Sequence, residues 1–386
     1  MTSKWLKRTA LLLSLCLTIG FATACNIEEG SSDSSDSSDV EEDVHKIGYI
    51  FHDSANDGGF SQQLNEQRIK ASERCNMETC YIENVSISDF EKAVKELITN
   101  GCTDIVSCSG VYANVLNSIA TKYMNINFIS FGATNDSANV SAYTEEQFQG
   151  AYVAGMVAAY NSDARKIGIV GDLDMLYTVA SINAAALGMQ LVFSDADMYA
   201  AGATRDNEIR QAVDDLIGRG CDVIISYTRS GYPADYCQQK GVKFIGNLDY
   251  NGREEDYSKM LMYYCCKRDS YFLAQFKQMQ LDLWDTDTYT GAMSNDTVTV
   301  SPALSAAKED TQKIIDALVP KVTSGAVYIF KGELRDNRGA VKYLQSEVMS
   351  ESEVYNMNWY VEGVTVAEDY RQPQTDHPEN SFEVKY

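Results

Sequence analysis

Six short segments of this 386-residue chain concentrate side chains that can hold a small polar molecule: residues 53–60 (DSANDGGF), 109–112 (SGVY), 134–136 (TND), 171–177 (GDLDMLY), 227–232 (YTRSGY) and 247–251 (NLDYN). Aromatic rings there offer flat faces for stacking, and carboxylates and amides offer acceptors for hydroxyl protons. Glycines let backbone approach a ligand closely. The chemistry is that of capture. The sequence has no GxSxG elbow, P-loop, HExxH or complete GxGxxG after a strand. Of the three histidines, His45 and His377 fall in terminal stretches, leaving His52 as the one placed to act as a base. Asp172 and Asp174 are spaced as a carboxylate pair, but they read more simply as a solvated turn before a helix. No CxxC pair exists to build a zinc site, so neither a metal nor any other cofactor is expected.

Each of the six segments follows an apolar run. From Lys46 onward strands and helices alternate: KIGYIF, then a helix to about Cys75, CYIENV, the helix SDFEKAVKELITNGC, TDIVSCSG, YANVLNSIATKYM and NINFISFGA. EEQFQGAYVAGMVAAYN follows as a helix rich in small residues, and the alternation restarts at RKIGIVGD. The phrase AVKELITNGCTDIVSCSG is echoed by AVDDLIGRGCDVIISYTRSG. This predicts an α/β protein of two doubly wound parallel-sheet lobes joined by a hinge. The N-terminal lobe is expected at 46–160, with about 289–325 returning to it, and the C-terminal lobe at 161–288. The segment 326–386 is left unassigned between them. In such sheets ligands sit beyond the carboxyl ends of the strands, which is where the six segments fall.

The formal net charge of −23 argues against nucleic acid, which needs a basic footprint. Residues 1–24 carry Lys4, Lys7 and Arg8 before a short apolar run ending ATA, and Cys25 follows. That is the form of an export signal whose cysteine is lipidated after cleavage. Residues 25–45 are Ser-, Asp- and Glu-rich and are expected to be a disordered tether. The protein would then sit lipid-anchored on the extracytoplasmic face of a cell membrane. Beyond the signal and the anchor, Cys75, Cys80, Cys102, Cys108, Cys221, Cys237, Cys265 and Cys266 remain. Export permits disulfides, but spacing does not say which cysteines pair. The adjacent Cys265 and Cys266 read as two buried thiols.

From Lys46 to about Gly363 the chain resembles the basic membrane protein (BMP) family, lipoprotein substrate-binding proteins of ABC transporters, many of which bind purine nucleosides. The resemblance rests on HDSANDGGFSQ, EEQFQGAYVAGMVAA, KIGIVG, GCDVIIS, VKFIGNLDYN and MYYCCKRDSYFLAQF in that order. It implies a type I periplasmic-binding-protein-like fold and a monomer whose partners are a nucleoside, the permease subunits and, through its lipid, the membrane. It also implies roles. Phe60 would stack on the base, with Asp57 beside it and Ser61 where the family usually has Asn. Asp249 would accept from sugar hydroxyls, Lys267 would donate to base or sugar, and Gln147 with Glu146 would reach the cleft from the crossing helix. One turn departs from the pattern: AAGATRD has Ala203 and Thr204 where the family usually places an aromatic. Tyr177, Tyr199 or Tyr227 would have to supply that face. A sugar or other polar metabolite is the alternative cargo, presentation to a sensor the alternative to transport, and nucleosidase-like turnover the remotest alternative.

Overall fold

Strand β1 (Lys46–Ile50) is buried at four of its five residues, and α1 (Phe60–Cys75) follows it across a polar turn. The computed structural model that shows this describes residues 45–132, 137–173, 175–366 and 384–386. The expected signal, Cys25, nearly all of the tether, the 134–136 segment, Asp174 and His377 lie outside the described residues. His45, counted with the tether, is pinned to the body by Asp104, 2.7 Å from its Nδ1.

The alternation continues with β2 (Glu78–Ile82), α2 (Phe90–Thr99), β3 (Asp104–Ser107), α3 (Ala113–Ala120), β4 (Asn127–Phe131) and β5 (Val140–Glu145). Helix α4 (Gln147–Asn161) leads to β6 (Lys166–Gly171), α5 (Leu176–Gln190), β7 (Asp197–Gly202), α6 (Asp206–Gly218) and β8 (Val223–Tyr227). Then come α7 (Tyr232–Lys240), β9 (Lys243–Gly246), β10 (Met260–Cys266), α8 (Asp269–Gln280), β11 (Thr288–Gly291), β12 (Val298–Val300) and α9 (Thr311–Thr323). A short hairpin of β13 (Leu334–Arg335) and β14 (Val341–Tyr343), helix α10 (Glu351–Tyr355) and β15 (Val364–Val366) close the series. Two main sheets result, in the orders β11-β5-β4-β3-β1-β2 and β12-β10-β9-β8-β6-β7-β15. All neighbours are parallel except β10 and β12. Helices cover both faces, so strands such as β8 and β10 are buried at every residue and read as unbroken apolar runs. The expected two-sheet α/β architecture is present.

The lobe boundaries differ from expectation, and packing explains why. Helix α4 belongs with the second sheet. Its small residues let it lie backbone to backbone on α5, and a Cβ at Gly155 would stand 1.8 Å from the Ala185 carbonyl. Helix α8 belongs with the first sheet, where Phe272, Phe276 and Met279 share a core with Tyr49 and Leu64. Of 289–325, only the end of β11 joins the first sheet, beside β5. Strand β12 instead pairs with β10, and α9 buries Ile315, Leu318 and Val322 in the second core. Residues 326–366 also pack there, through Phe330, Leu334, Met357 and Val361 among others. At the far end Lys385 bridges back to Tyr81 on the edge of the first sheet. Among the described residues the chain passes between lobes near 145–147, 266–269 and 291–298, and Lys385 brings its end back to the first lobe.

Candidate functional site

The second crossing and the polar turn after β1 meet at the junction of the lobes, where Arg268 packs on the Phe60 ring. The turn is built around Asp57. Its Oδ1 accepts from the Gly59 and Gln62 amides at 2.8 and 3.0 Å, and its Oδ2 from the Ser61 amide at 3.2 Å. Burial pushes its carboxyl up, and these three N–H groups pull against that. Asp57 thus satisfies the otherwise unpaired donors at the start of α1. That is a structural use of a residue expected beside a ligand. Ser61 is buried in the same first turn. Gly58 takes a φ of +69°, a left-handed conformation that the tight turn requires.

The turn touches the opposite lobe directly. The Phe60 amide donates to the Arg229 carbonyl at 2.7 Å. A Cβ at Gly231 would stand 2.2 Å from the Gly58 carbonyl. Three residues further along α1, the Gln63 amide donates to the Asp249 carbonyl at 3.1 Å and accepts from the Asp249 N–H at 3.2 Å. Arg229 reaches Asp53 of the first lobe at 3.4 Å. Burial works against the Arg229 charge, but Asp53, Tyr177 and Asp172 more than restore it. These contacts describe closed lobes.

Phe60 lies at this junction, half-buried. The Arg268 guanidinium is 4.8 Å from its ring centroid, and Phe131 meets it edge-on at 6.4 Å. Arg268 is only 3% exposed and pairs with Glu145: Nε is 2.6 Å from Oε1, and Nη2 donates to Oε2 at 2.8 Å. Tyr143 and Gln147 donate to the same carboxylate at 2.8 and 2.7 Å. Burial opposes charge on Glu145, yet Arg268 holds its carboxyl below the usual range. Gln147 therefore stands at the first crossing, tied to the ion pair that joins it to the second. Lys267 has an exposed side chain, and its amide donates to the Thr297 carbonyl at 2.8 Å, joining the second crossing to the third.

Glu146, between these residues, has its carboxyl pushed up to about 6, by burial first and then by Glu351. The folded protein thus holds this proton more tightly than the unfolded chain, whose value is near 4.5. Stability from the neutral form is present in acid and is lost as the pH rises through about 6. Glu146→Gln should therefore stabilise by about 1 kcal/mol at neutral pH, discounted for partial exposure, and have no effect in acid below the unfolded value. Urea midpoints at the two pH values check this. An equal difference at both would remove the argument.

On the second lobe, Tyr177 is 36% exposed and opens α5. Its hydroxyl is pushed up to about 12, by burial first, with Arg229 lowering it and Asp172 and Asp53 raising it, so it stands near charges from both lobes. Tyr227 is buried behind it, with ring centroids 6.5 Å apart. Tyr199 lies elsewhere, packed on the core under α6. Ala203 is buried, and Thr204 gives both its N–H and its hydroxyl to Glu208. The Asp249 Oδ1 accepts from the Asn251 amide at 3.0 Å, shaping its own turn. The structure thus gathers Phe60, Asp249, Gln147 and Tyr177 around the lobe junction and assigns Asp57 to a helix cap. Gln63, Glu145, Arg229 and Arg268 were not singled out in the sequence. Arg229 lay inside a flagged segment, but nothing local distinguishes such residues from surface charge.

Among the described residues, no group of His, Cys, Asp and Glu is placed to hold a metal, and no helix is long and apolar enough to cross a membrane. The chain is similar to the purine-binding protein of Brucella abortus (strain 2308), 24% identical over 330 residues that cover 84% of this chain and 93% of that protein. It is also similar to a putative ABC transporter glucose-binding protein of Haloferax volcanii, 25% identical over 180 residues, 46% of each. A solved ABC transporter solute-binding protein from Aeropyrum pernix K1 superposes with a TM-score of 0.65 over 76% of this chain and 93% of its own, at 12% identity, which shows the shared fold. Residues 44–234 match the Bmp family model, described as ABC transporter substrate-binding protein PnrA-like.

Proposed function

We propose that this protein captures a purine nucleoside between its two lobes and hands it to an ABC permease, held at the outer membrane face by a lipid on Cys25. The observation that carries this reading is the seat of Phe60. Its ring lies where the lobes meet and is backed by a buried guanidinium, a rigid platform for a flat heterocycle. Tyr177, partly exposed beside Asp53 of the first lobe and Arg229 of the second, is the candidate for the opposing face in place of Ala203 and Thr204. Asp249 and the exposed Lys267 supply an acceptor and a cation for the polar part of the ligand. The Brucella abortus relative is named a purine-binding protein, which supports a purine ring in the cargo.

A sugar is the second reading. It is favoured by the partial match to a putative glucose-binding protein and by Ala203 and Thr204 standing where the family usually places an aromatic. Calorimetric titration with adenosine, guanosine, inosine, cytidine, ribose and glucose separates the two. At least one purine nucleoside should bind at about 1 μM or tighter, worth about 8 kcal/mol. Phe60→Ala should then weaken it by roughly 1–3 kcal/mol through lost stacking, and Asp249→Ala by a similar amount through a lost buried hydrogen bond. A response to sugars alone would sink the nucleoside reading and leave the clamp intact.

A further inference from the structure

The first lobe brings two cysteine sulfurs together. Cys80 on β2 and Cys102, two residues before β3, lie with Sγ atoms 3.3 Å apart although 22 residues separate them, and both are buried. The contact passes over Gly48, the residue of β1 opposite Cys80. A Cβ at Gly48 would stand 3.1 Å from the Cys102 sulfur and 2.7 Å from Leu97, so glycine leaves room for the pair.

The second lobe is a built-in control. Gly168 of β6 is covered by Leu216 as Gly48 is by Leu97, and Cys221 follows α6 as Cys102 follows α2. There, however, the residue opposite the glycine is Tyr199 instead of a cysteine. The same architecture thus packs without a sulfur pair, and the first lobe has one by a specific choice of residue.

We propose that Cys80 and Cys102 form a disulfide in the mature protein. The sulfurs need to approach by little more than about 1 Å to reach the bonded separation of about 2.05 Å. The oxidant is a disulfide donor, either an exported thiol–disulfide oxidoreductase or oxidised glutathione. One thiolate attacks the donor S–S bond, giving a mixed disulfide and releasing a donor thiolate. The second cysteine, losing its proton, attacks the mixed disulfide, so one protein S–S bond forms while the donor is reduced to two thiols. Because both sulfurs are buried in the finished lobe, exchange precedes its completion. The bond closes the loop that carries α2 and ties that helix to the sheet. It requires an oxidising compartment, and in that respect it rests on the export reading.

The test is differential alkylation with peptide mapping. Full-length protein purified from membranes without reductant is unfolded in N-ethylmaleimide. A second sample is reduced, unfolded and refolded in a glutathione redox buffer before the same treatment. In both, Cys80 and Cys102 should escape alkylation until reduced and should appear as one joined peptide pair, while Cys221 is alkylated at once. The oxidised refolded form should melt several degrees above the reduced form. If the pair joins on refolding but not in membrane-purified protein, the pairing stands and the export reading fails. If both cysteines are alkylated without reduction in the refolded sample, or if either pairs with Cys221, the proposal is overturned.

Discussion

Arg268→Ala should cost the protein about 3–5 kcal/mol of stability, a large fraction of what a domain of this kind possesses. The arginine and Glu145 are both nearly inaccessible, and their pairing spans 123 residues of sequence. Removing the guanidinium leaves a buried carboxylate with neutral donors such as Tyr143 and Gln147 and no cation. It also takes away the cation against the Phe60 ring. Arg268→Lys keeps the charge without the planar fork and should fall between wild type and alanine. The double variant Glu145→Gln/Arg268→Met should recover part of the loss, because no unpaired charge is left behind. Urea denaturation of the four proteins measures this. A loss under about 1 kcal/mol for Arg268→Ala would mean that the pair is solvated and does not join the crossings.

The second large effect is on closure. Gly231→Ala should weaken ligand binding at least about tenfold, a loss of roughly 1.4 kcal/mol, while leaving each lobe intact. Gly231 has φ −77° and ψ −13°, ordinary helical angles that alanine adopts without strain. The cost arises only when the lobes meet, since the new Cβ would stand 2.2 Å from the Gly58 carbonyl. The substitution therefore disfavours the closed form alone, and apparent affinity falls with the closed population. Calorimetry with the nucleoside that binds wild type best, alongside thermal unfolding of the free protein, separates the two effects. Unchanged affinity would show that the 58–231 contact is no part of the bound state.

Much of the architecture was legible because it is written in local pattern. Buried parallel strands read as apolar runs, and the Gly-Cys stops after α2 and α6 expose the repeat. The lobe assignment of the later chain was not. Strand β12 is three residues, VTV, with nothing in them to choose between two sheets. The choice is made by β10, whose edge it takes in antiparallel sense. The segments at the lobe junction were visible because polar residues and glycines interrupt apolar runs. The roles within them were less so. The Asp57 carboxylate is near enough in sequence to the α1 amides to cap them, and a reading for ligands passes over that local use. Arg268 and Glu145 are each unremarkable in their own neighbourhoods, and their meaning exists only once the fold joins them.

The crossings between lobes also set an order of events during synthesis. The first lobe cannot finish when its first five strands have emerged. The edge of β5 awaits β11, and the apolar face of α1 awaits α8, whose Phe272, Phe276 and Met279 complete that core. Between them the chain must produce everything from α4 to β10. A nascent chain therefore carries an open strand edge and an uncovered aromatic core for more than a hundred residues, the kind of surface that chaperones bind and that aggregates when they do not. Residues 267–291 thus decide when the lobe holding Phe60 becomes safe from self-association.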